Sequence, residues 1–441
     1  MQRRTRRFAM VLAAAIPLVM LSACSGANSG ESDGKVTITL VGDSGPANVA
    51  TQKKIIALFE KSHPNINVKF EPATGSNAEQ GSIVRLGQGD KTLDVVTTEV
   101  GYEYQWFKQG WIQSLTPFID KAAQDKVDPH LIKNETIDGQ LLAIPMDNST
   151  MFLAVNEDLL KQAGVTPPPT IKKDGLEATT SGVWTWEAVL AAATKVKEKT
   201  GETGLVFPAD EAWPSVPMGQ QLGGKTSSPD GLKVKGYLDQ KPWVELMTKW
   251  KAFFENDVSQ ITTPTWTNDQ FKAGKSAFSL THIGVYNVCD GVKFECDAAA
   301  QPYFEGGKKV VQSTGIAWAL SSKSQHPKEA GAFLKFALTD PEAQKTLIAG
   351  DYFAAIPILK SQLADMKTDQ AYQQFPKSVK LLGAWQQQNW PQEPMISPSN
   401  ATEFTAISDA LKDVRVGAAT PEEAVKKMTA TTDRDLQQFQ K

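Results

Sequence analysis

The chain has 441 residues, a formal net charge of −3 and 41% hydrophobic residues. That length exceeds what one hydrophobic core supports and points to two or three domains. The balance is near neutral and, past the first residues, basic side chains are spread along the chain, so nothing marks nucleic acid as a partner or a polybasic membrane patch, and the four histidines (His63, His130, His282, His326) are too scattered for a histidine-based metal site.

Arg3, Arg4, Arg6 and Arg7 precede an apolar run from Phe8 to Leu21, and Leu21-Ser22-Ala23-Cys24 follows. These are the basic region, apolar region and small-residue cleavage site of an export signal. The apolar run is shorter than the roughly 20 residues of a membrane span. Cys24 after Leu-Ser-Ala resembles the lipobox of bacterial lipoproteins, in which the Cys sulfur is acylated with diacylglycerol and becomes the new N-terminus. The resemblance implies removal of residues 1–23, lipidation at Cys24, and an exported protein anchored to the outer face of the cell membrane. An ordinary signal peptide with an incidental Cys is the alternative. Arg6-Arg7-Phe8 departs in spacing from a twin-arginine signal, which favours the general secretory route over the twin-arginine one. Residues 24–34 carry no large apolar side chain and read as a flexible tether.

The folded body opens at Val36-Thr37-Ile38-Thr39-Leu40-Val41, whose alternation predicts a strand. Gly42 to Pro46 reads as a loop. From about Ala50, residues Ile55, Ile56, Leu58 and Phe59 keep helical spacing until His63-Pro64-Asn65. Ile66, Val68 and Phe70 then alternate as a second strand, completing a βαβ unit and implying a parallel sheet. Leu93-Asp94-Val95-Val96-Thr97 reads as a short buried strand that delivers Thr98 and Glu99 to a loop, and ligands of such sheets sit beyond the carboxyl ends of the strands. Pro167-Pro168-Pro169 marks a stiff connection. Helices are predicted over Trp186–Lys199, Pro242–Phe254, Pro327–Leu338, Pro341–Ile348 and Pro421–Phe439, the last with Thr420 and Glu423 as a capping box.

Gly219-Gln220-Gln221-Leu222-Gly223-Gly224-Lys225-Thr226 fits the phosphate-loop pattern. Pro214 and Pro217 before it and Ser227-Ser228-Pro229-Asp230-Gly231 after it leave no strand-to-helix context, so nucleotide binding is not expected. Catalytic elbows, zinc-binding helices and C-x-x-C pairs are missing from the sequence. Cys289 and Cys296 most simply form a disulfide in an exported chain, with Asp290-Gly291 turning a hairpin between them. Two free thiols or half of a metal site are the rivals. Asp43, Glu99 and Asp147 each fall in a loop at a strand end. Two such carboxylates could flank and hydrolyse a glycosidic bond, or all could accept hydrogen bonds from sugar hydroxyls.

Eleven tryptophans point to a sugar, because indole faces stack on the C–H faces of pyranose rings. Trp184, Trp186, Trp243, Trp250 and Trp318 fall on helix or strand patterns and read as core. Trp106, Trp111, Trp213, Trp266, Trp385 and Trp390 lie beside Gly, Pro or polar residues, and Trp213, Trp266 and Trp385 are the stacking candidates.

From Lys35 onward the chain resembles the extracellular solute-binding proteins of ABC importers, in the sugar-binding branch that includes maltose-binding protein. The resemblance rests on Phe59-Glu60-Lys61-Ser62-His63-Pro64-Asn65-Ile66, on Leu93-Asp94-Val95-Val96 with Gly110-Trp111-Ile112-Gln113-Ser114-Leu115, and on Ala143-Ile144-Pro145 with Val155 to Gly164. Phe271-Lys272-Ala273-Gly274-Lys275-Ser276-Ala277-Phe278, Ser321 to Gln344, Pro357 and Pro421-Glu422-Glu423-Ala424 complete it, all in order. It implies a two-lobed α/β periplasmic-binding-protein-like fold, with residues 35–146 and 282–350 as the N-lobe and 147–281 and 351–441 as the C-lobe. The hinge is expected near Pro145–Asp147, Leu280–Gly284 and Gly350–Phe353. The implied ligand residues are Asp43, Ser44, Glu99, Asp147, Asn148, His282, Tyr286, Thr314, Gly315 and Trp385, beside the stacking candidates Trp213 and Trp266. Ile316 stands where the family usually has a Trp. The implied function is capture of a di- or oligosaccharide by cleft closure and delivery to a permease driven by a cytoplasmic ATPase. The protein itself would be a monomer without catalysis, cofactor or metal. A secreted glycoside hydrolase and a surface adhesin lipoprotein are the alternatives.

Overall fold

The computed structural model describes residues 34–73, 78–99, 101–208, 210–262, 268–313, 315–352 and 356–440. Cys24 with its signal, Trp266 and Thr314 lie outside them. In chain order the strands are β1 (Val36–Gly42), β2 (Ile66–Pro72), β3 (Val95–Glu99), β4 (Ile112–Gln113), β5 (Thr136–Ile137), β6 (Gln140–Leu141) and β7 (Ala143–Pro145). They continue with β8 (Met151–Asn156), β9 (Thr203–Phe207), β10 (Ser259–Ile261), β11 (Ser276–His282), β12 (Cys296–Ala299) and β13 (Ile316–Ser321).

Two sheets organise these strands. The first runs β2-β1-β3-β13-β4, with β7 also on β13, and the second runs β10-β9-β11-β8-β12. β1 pairs parallel with β2 and β3, as the βαβ unit requires. β13 returns antiparallel beside β3, with Ile316 opposite Glu99. Each sheet carries helices on its faces and buries its own core: Phe59, Trp318 and Phe333 in the first, Trp186, Phe207, Trp243 and Trp250 in the second.

The helices predicted from caps and apolar stripes are present, among others that were not predicted. Pro46–Ser62 starts earlier than Ala50, because Pro46 takes the first turn, where its missing N–H leaves nothing unbonded. Trp186–Thr200 is capped by Thr185, and Pro421–Leu436 carries the Thr420/Glu423 capping box. The phosphate-loop match is no such loop: Gly219 lies inside the helix Ala212–Gln221, where a Cβ would come within 2.6 Å of the Trp243 ring. Gly274 follows the short helix Asp269–Lys272 at φ +75°, a left-handed stop that glycine adopts without strain.

The first crossing between sheets is Met146–Thr150, linking β7 to β8. The second differs from expectation. The chain does not return at Leu280–Gly284, nor does the first lobe resume at residue 282. β12 pairs antiparallel with β8, from Cys296 opposite Asn156 to Ala299 opposite Leu153, so this segment extends the second sheet. The return comes only between Ala299 and Ile316. The third passage weaves between the lobes, with Tyr352, Ile358 and Leu359 in the first core and Ile356 and Leu363 in a further cluster around Phe152 and Ala154 of the second sheet. Residues just after 351 are therefore shared, not purely second-lobe. Cys289 and Cys296 face each other with Cα atoms 5.5 Å apart. The link between them turns at Gly291 (φ +73°), but only Cys296 begins a strand, so the expected hairpin is a loop leading into β12.

Candidate functional site

The strand ends that border the crossings come from both sheets. β1 and β3 end at Gly42 and Glu99 on one side; β9 and β11 end at Phe207 and His282 on the other. The starts of β8 and β13 lie beside them, Met151 opposite His282 and Ile316 opposite Glu99. This is the carboxyl-end position where open α/β sheets hold ligands.

On the first lobe, Asp43 follows β1 and its Oδ1 accepts from the Gly45 N–H and Asn48 Nδ2, both at 2.8 Å. One oxygen of Asp43 is thus spent on shaping its own turn. Ser44 beside it is exposed, and so is Glu99 at the end of β3. Two residues farther, Gly101 takes φ +109°, a conformation glycine enters far more readily than other residues. Its N–H donates to Glu103 Oε2 at 2.7 Å. Burial raises the Glu103 pKa to about 8, with the nearby charge of Glu99 adding to it. Glu135 is raised by burial and by Glu103.

Asp147 sits on the first crossing and ties it to the start of β13. Its Oδ1 accepts from the Ile316 N–H, and its Oδ2 accepts from Ser149 Oγ at 2.8 Å. Burial pushes its pKa to about 7, helped by Glu99 and opposed by those two hydrogen bonds. Both oxygens serve the hinge, so the geometry makes Asp147 a strap between crossings. Gly315 fits the same strap, because a Cβ there would fall 2.2 Å from Asp147 Oδ1. Ile316 is buried in the first core and gives no stacking face. The neighbouring Asn148 is buried, and its Oδ1 has no hydrogen bond.

On the second lobe, Trp213 and His282 form a corner. Their rings meet edge to face at 5.9 Å, and Trp213 Nε1 donates to Glu211 Oε2 at 2.6 Å. His282 Nδ1 accepts the Gly284 N–H at 2.9 Å, so the neutral imidazole carries its hydrogen on Nε2. Burial lowers the His282 pKa to about 4, which keeps the ring neutral at physiological pH. Since the second crossing lies elsewhere, His282 marks the end of β11 and not a hinge.

Tyr286 and Trp385 belong to other clusters. The Tyr286 hydroxyl donates to Asp351 Oδ2 at 3.3 Å, and buried Lys380 lies 4.5 Å from its ring while pairing with Asp351 Oδ1 at 2.5 Å. Burial and the Asp351 charge push the Tyr286 pKa up to about 12. Trp385 packs on Trp390 at 4.8 Å. Trp106 is 1% exposed and belongs to the first-lobe core, although its polar neighbours suggested otherwise.

The sequence reading passed over Glu103, Glu135 and Asn400. Only Glu103 had a local signal, as the first acid after a strand-end glycine. Among the described residues no group of three or more His, Cys, Asp and Glu could hold a metal ion, and no helix is long and apolar enough to cross a membrane.

Residues 42–345 match the family described as bacterial extracellular solute-binding protein. The Multiple sugar-binding protein of Streptococcus mutans is 22% identical over 74% of this chain and 77% of its own. The Lactose-binding protein of Rhizobium radiobacter is 24% identical over 65% and 67%. In structure, the chain is similar to the GacH receptor of Streptomyces glaucescens, with a TM-score of 0.71 and 21% identity over 92% of this chain and 98% of that one. The cyclic alpha-maltosyl-1,6-maltose binding protein from Arthrobacter globiformis gives 0.73 and 18% over 92% and 100%. These likenesses give the same two-lobed fold, and the match over most of the sequence establishes that the chain belongs to the bacterial extracellular solute-binding protein family.

Proposed function

We propose that the chain is the substrate-capturing lipoprotein of an ABC importer for a carbohydrate, a di- or oligosaccharide. As a member of a solute-binding family it is a binding protein and not an enzyme. The observation that carries the carbohydrate reading is the pairing of two walls at the strand ends: carboxylates on the first lobe and the Trp213–His282 corner on the second. Exposed Glu99 suits hydroxyl donors, and an indole suits the apolar face of a sugar ring. The names of relatives support it, among them a Multiple sugar-binding protein and a Melibiose/raffinose/stachyose-binding protein. A sugar touching both walls favours the closed state by its differential affinity, and the closed form is what a permease, powered by a cytoplasmic ATPase, would receive.

The test is thermal unfolding of residues 25–441 against maltose, lactose, raffinose and stachyose. A ligand that binds only the folded state adds about 2.7 kcal/mol at a hundredfold excess over its dissociation constant. A shift with one or more sugars is expected; none with any of them would remove the carbohydrate reading.

Two further parts of the proposal have their own tests. Anchoring through Cys24 predicts that Cys24→Ala releases the protein from the membrane fraction; retention there would refute it. A disulfide between Cys289 and Cys296 predicts no thiol labelling without reductant; two labelled thiols would refute that.

A further inference from the structure

Glu103 begins the helix Glu103–Lys108 on the first lobe, and Asn400 begins Asn400–Arg415 on the second. They are 2% and 0% exposed, and Glu135 is 1% exposed. Glu103 Oε1, both oxygens of Glu135 and both amide atoms of Asn400 make no hydrogen bond. The groups are neighbours. A Cβ on Gly101, whose N–H binds Glu103, would lie 2.8 Å from Asn400 Nδ2, and Glu103 is the charge that acts on Glu135. Contacts between the lobes surround them: Tyr102 stacks on Phe404 at 6.0 Å, the Ala401 N–H donates to Gln105 Oε1 at 3.2 Å, and the Tyr104 hydroxyl donates to the Asp230 carbonyl at 3.2 Å.

Burying a polar group without a partner is unfavourable, and native structures hold few such groups. Three together, drawn from both lobes, have a use outside the protein's own packing. We propose that Glu103, Glu135 and Asn400 form a polar subsite, bridging the lobes, whose missing hydrogen bonds are made by hydroxyl groups of the bound ligand once the lobes part to admit it. The inference deepens the carbohydrate reading and rests on it.

The chemistry selects the ligand class. Burial favours the neutral form of both carboxyls, raising Glu103 to about 8 and pushing Glu135 in the same direction. A protonated carboxyl and a primary amide each offer donor and acceptor together, as a hydroxyl does. An ammonium group would be drawn to the Glu99 carboxylate outside and not to these neutral groups, and a phosphate would find no cation among them. The subsite therefore takes an uncharged, hydroxyl-bearing face.

The experiment compares the wild type with Asn400→Ala, Glu103→Leu and Glu103→Gln in residues 25–441. It reads the Tm without ligand and, by calorimetric titration, the affinity for whichever of maltose, lactose, raffinose and stachyose shifts the wild type most. Asn400→Ala and Glu103→Leu should each weaken binding about tenfold or more, the loss expected when a ligand group is left unpaired. Their ligand-free Tm should stay level or rise, because a stranded buried group has been removed. Glu103→Gln keeps both donor and acceptor and should bind within about threefold of wild type. A lowered Tm with unchanged affinity would make the cluster a structural junction and overturn the subsite. Wild type that binds none of the four sugars would remove the carbohydrate reading itself, a different failure from variants that bind as well as the wild type.

Discussion

The first lobe ends its strands on carboxylates, Asp43 after β1 and Glu99 at the close of β3. The second ends its strands on rings, Trp213 beyond β9 and His282 at the close of β11. The two walls therefore answer to different variables. A carboxylate wall would orient a ligand through directed hydrogen bonds, and the buried carboxyls near it, Glu103 and Asp147, respond to pH. A ring wall works by area, and its histidine is already neutral. The rings of the second lobe also differ in burial, since Trp213 is half-buried at the edge of the core in which Trp243 is fully enclosed.

Substitutions can break that comparison or sharpen it. The largest effect is expected from Trp243→Ala, which empties the centre of the second core and should cost about 3–5 kcal/mol of stability. Denaturant unfolding measures it; a loss below 1 kcal/mol would contradict close packing against Gly219. Trp213→Ala should cost less stability than Trp243→Ala, because its ring only borders the core, yet weaken sugar binding by about 1–3 kcal/mol. If it unfolded the protein as Trp243→Ala does, the ring would be core. On the opposite wall, Glu99→Gln should weaken binding by about 1–3 kcal/mol with the same fold, and unchanged affinity by titration would take Glu99 out of the site.

The pH experiment addresses Asp147. Its folded pKa is about 7, above the ordinary 3.8, because burial disfavours the charged form. A carboxyl raised on folding contributes its full stability below about pH 3.8, and that contribution falls as pH climbs to about 7. Within this window the loss is about 1.4 kcal/mol per pH unit. Asp147→Asn should flatten that part of the stability–pH curve; an unaltered slope would mean that the carboxyl titrates normally. The smallest effect is expected far from both walls, where Thr420→Ala removes a helix cap and should cost about 1 kcal/mol in chemical unfolding. No change there would mean that the capping box contributes nothing to stability.

Much of the first lobe was legible because its signals are local. Ile38 and Leu40 alternate in β1, Pro327 opens a helix, and both features survive intact in the structure. The second crossing was not legible. β12 is Cys-Asp-Ala-Ala, with little side-chain contrast, and only its pairing with β8 makes it a strand. The helix Ser378–Asn389 escaped for the opposite reason, since its buried face includes Gln386 and Gln387, which a hydrophobic pattern counts as surface. Among site residues, Glu99 could be read from its strand end. Asn400 could not, because nothing in its neighbourhood anticipates Gly101, some 300 positions earlier, as its neighbour.

That glutamine-bearing helix has a mechanical consequence. Gln386 Nε2 donates to the Met151 carbonyl at 3.0 Å, and Gln387 Nε2 donates to the carbonyls of Ser149 and Gln312. Two of the three crossings are thereby clipped to one rigid rod that packs with the second sheet. A clipped segment turns with the rod that holds it, so the axis of any opening motion is displaced toward the first lobe. The flexing falls on the few bonds between those clips and the first sheet, at Met146–Asn148 and Gly315. In hydrogen exchange the Ile316 amide, held by Asp147, should then be the sensitive reporter of opening, while the Ile283 amide, which donates to the Thr150 carbonyl, stays protected whether the protein is open or shut.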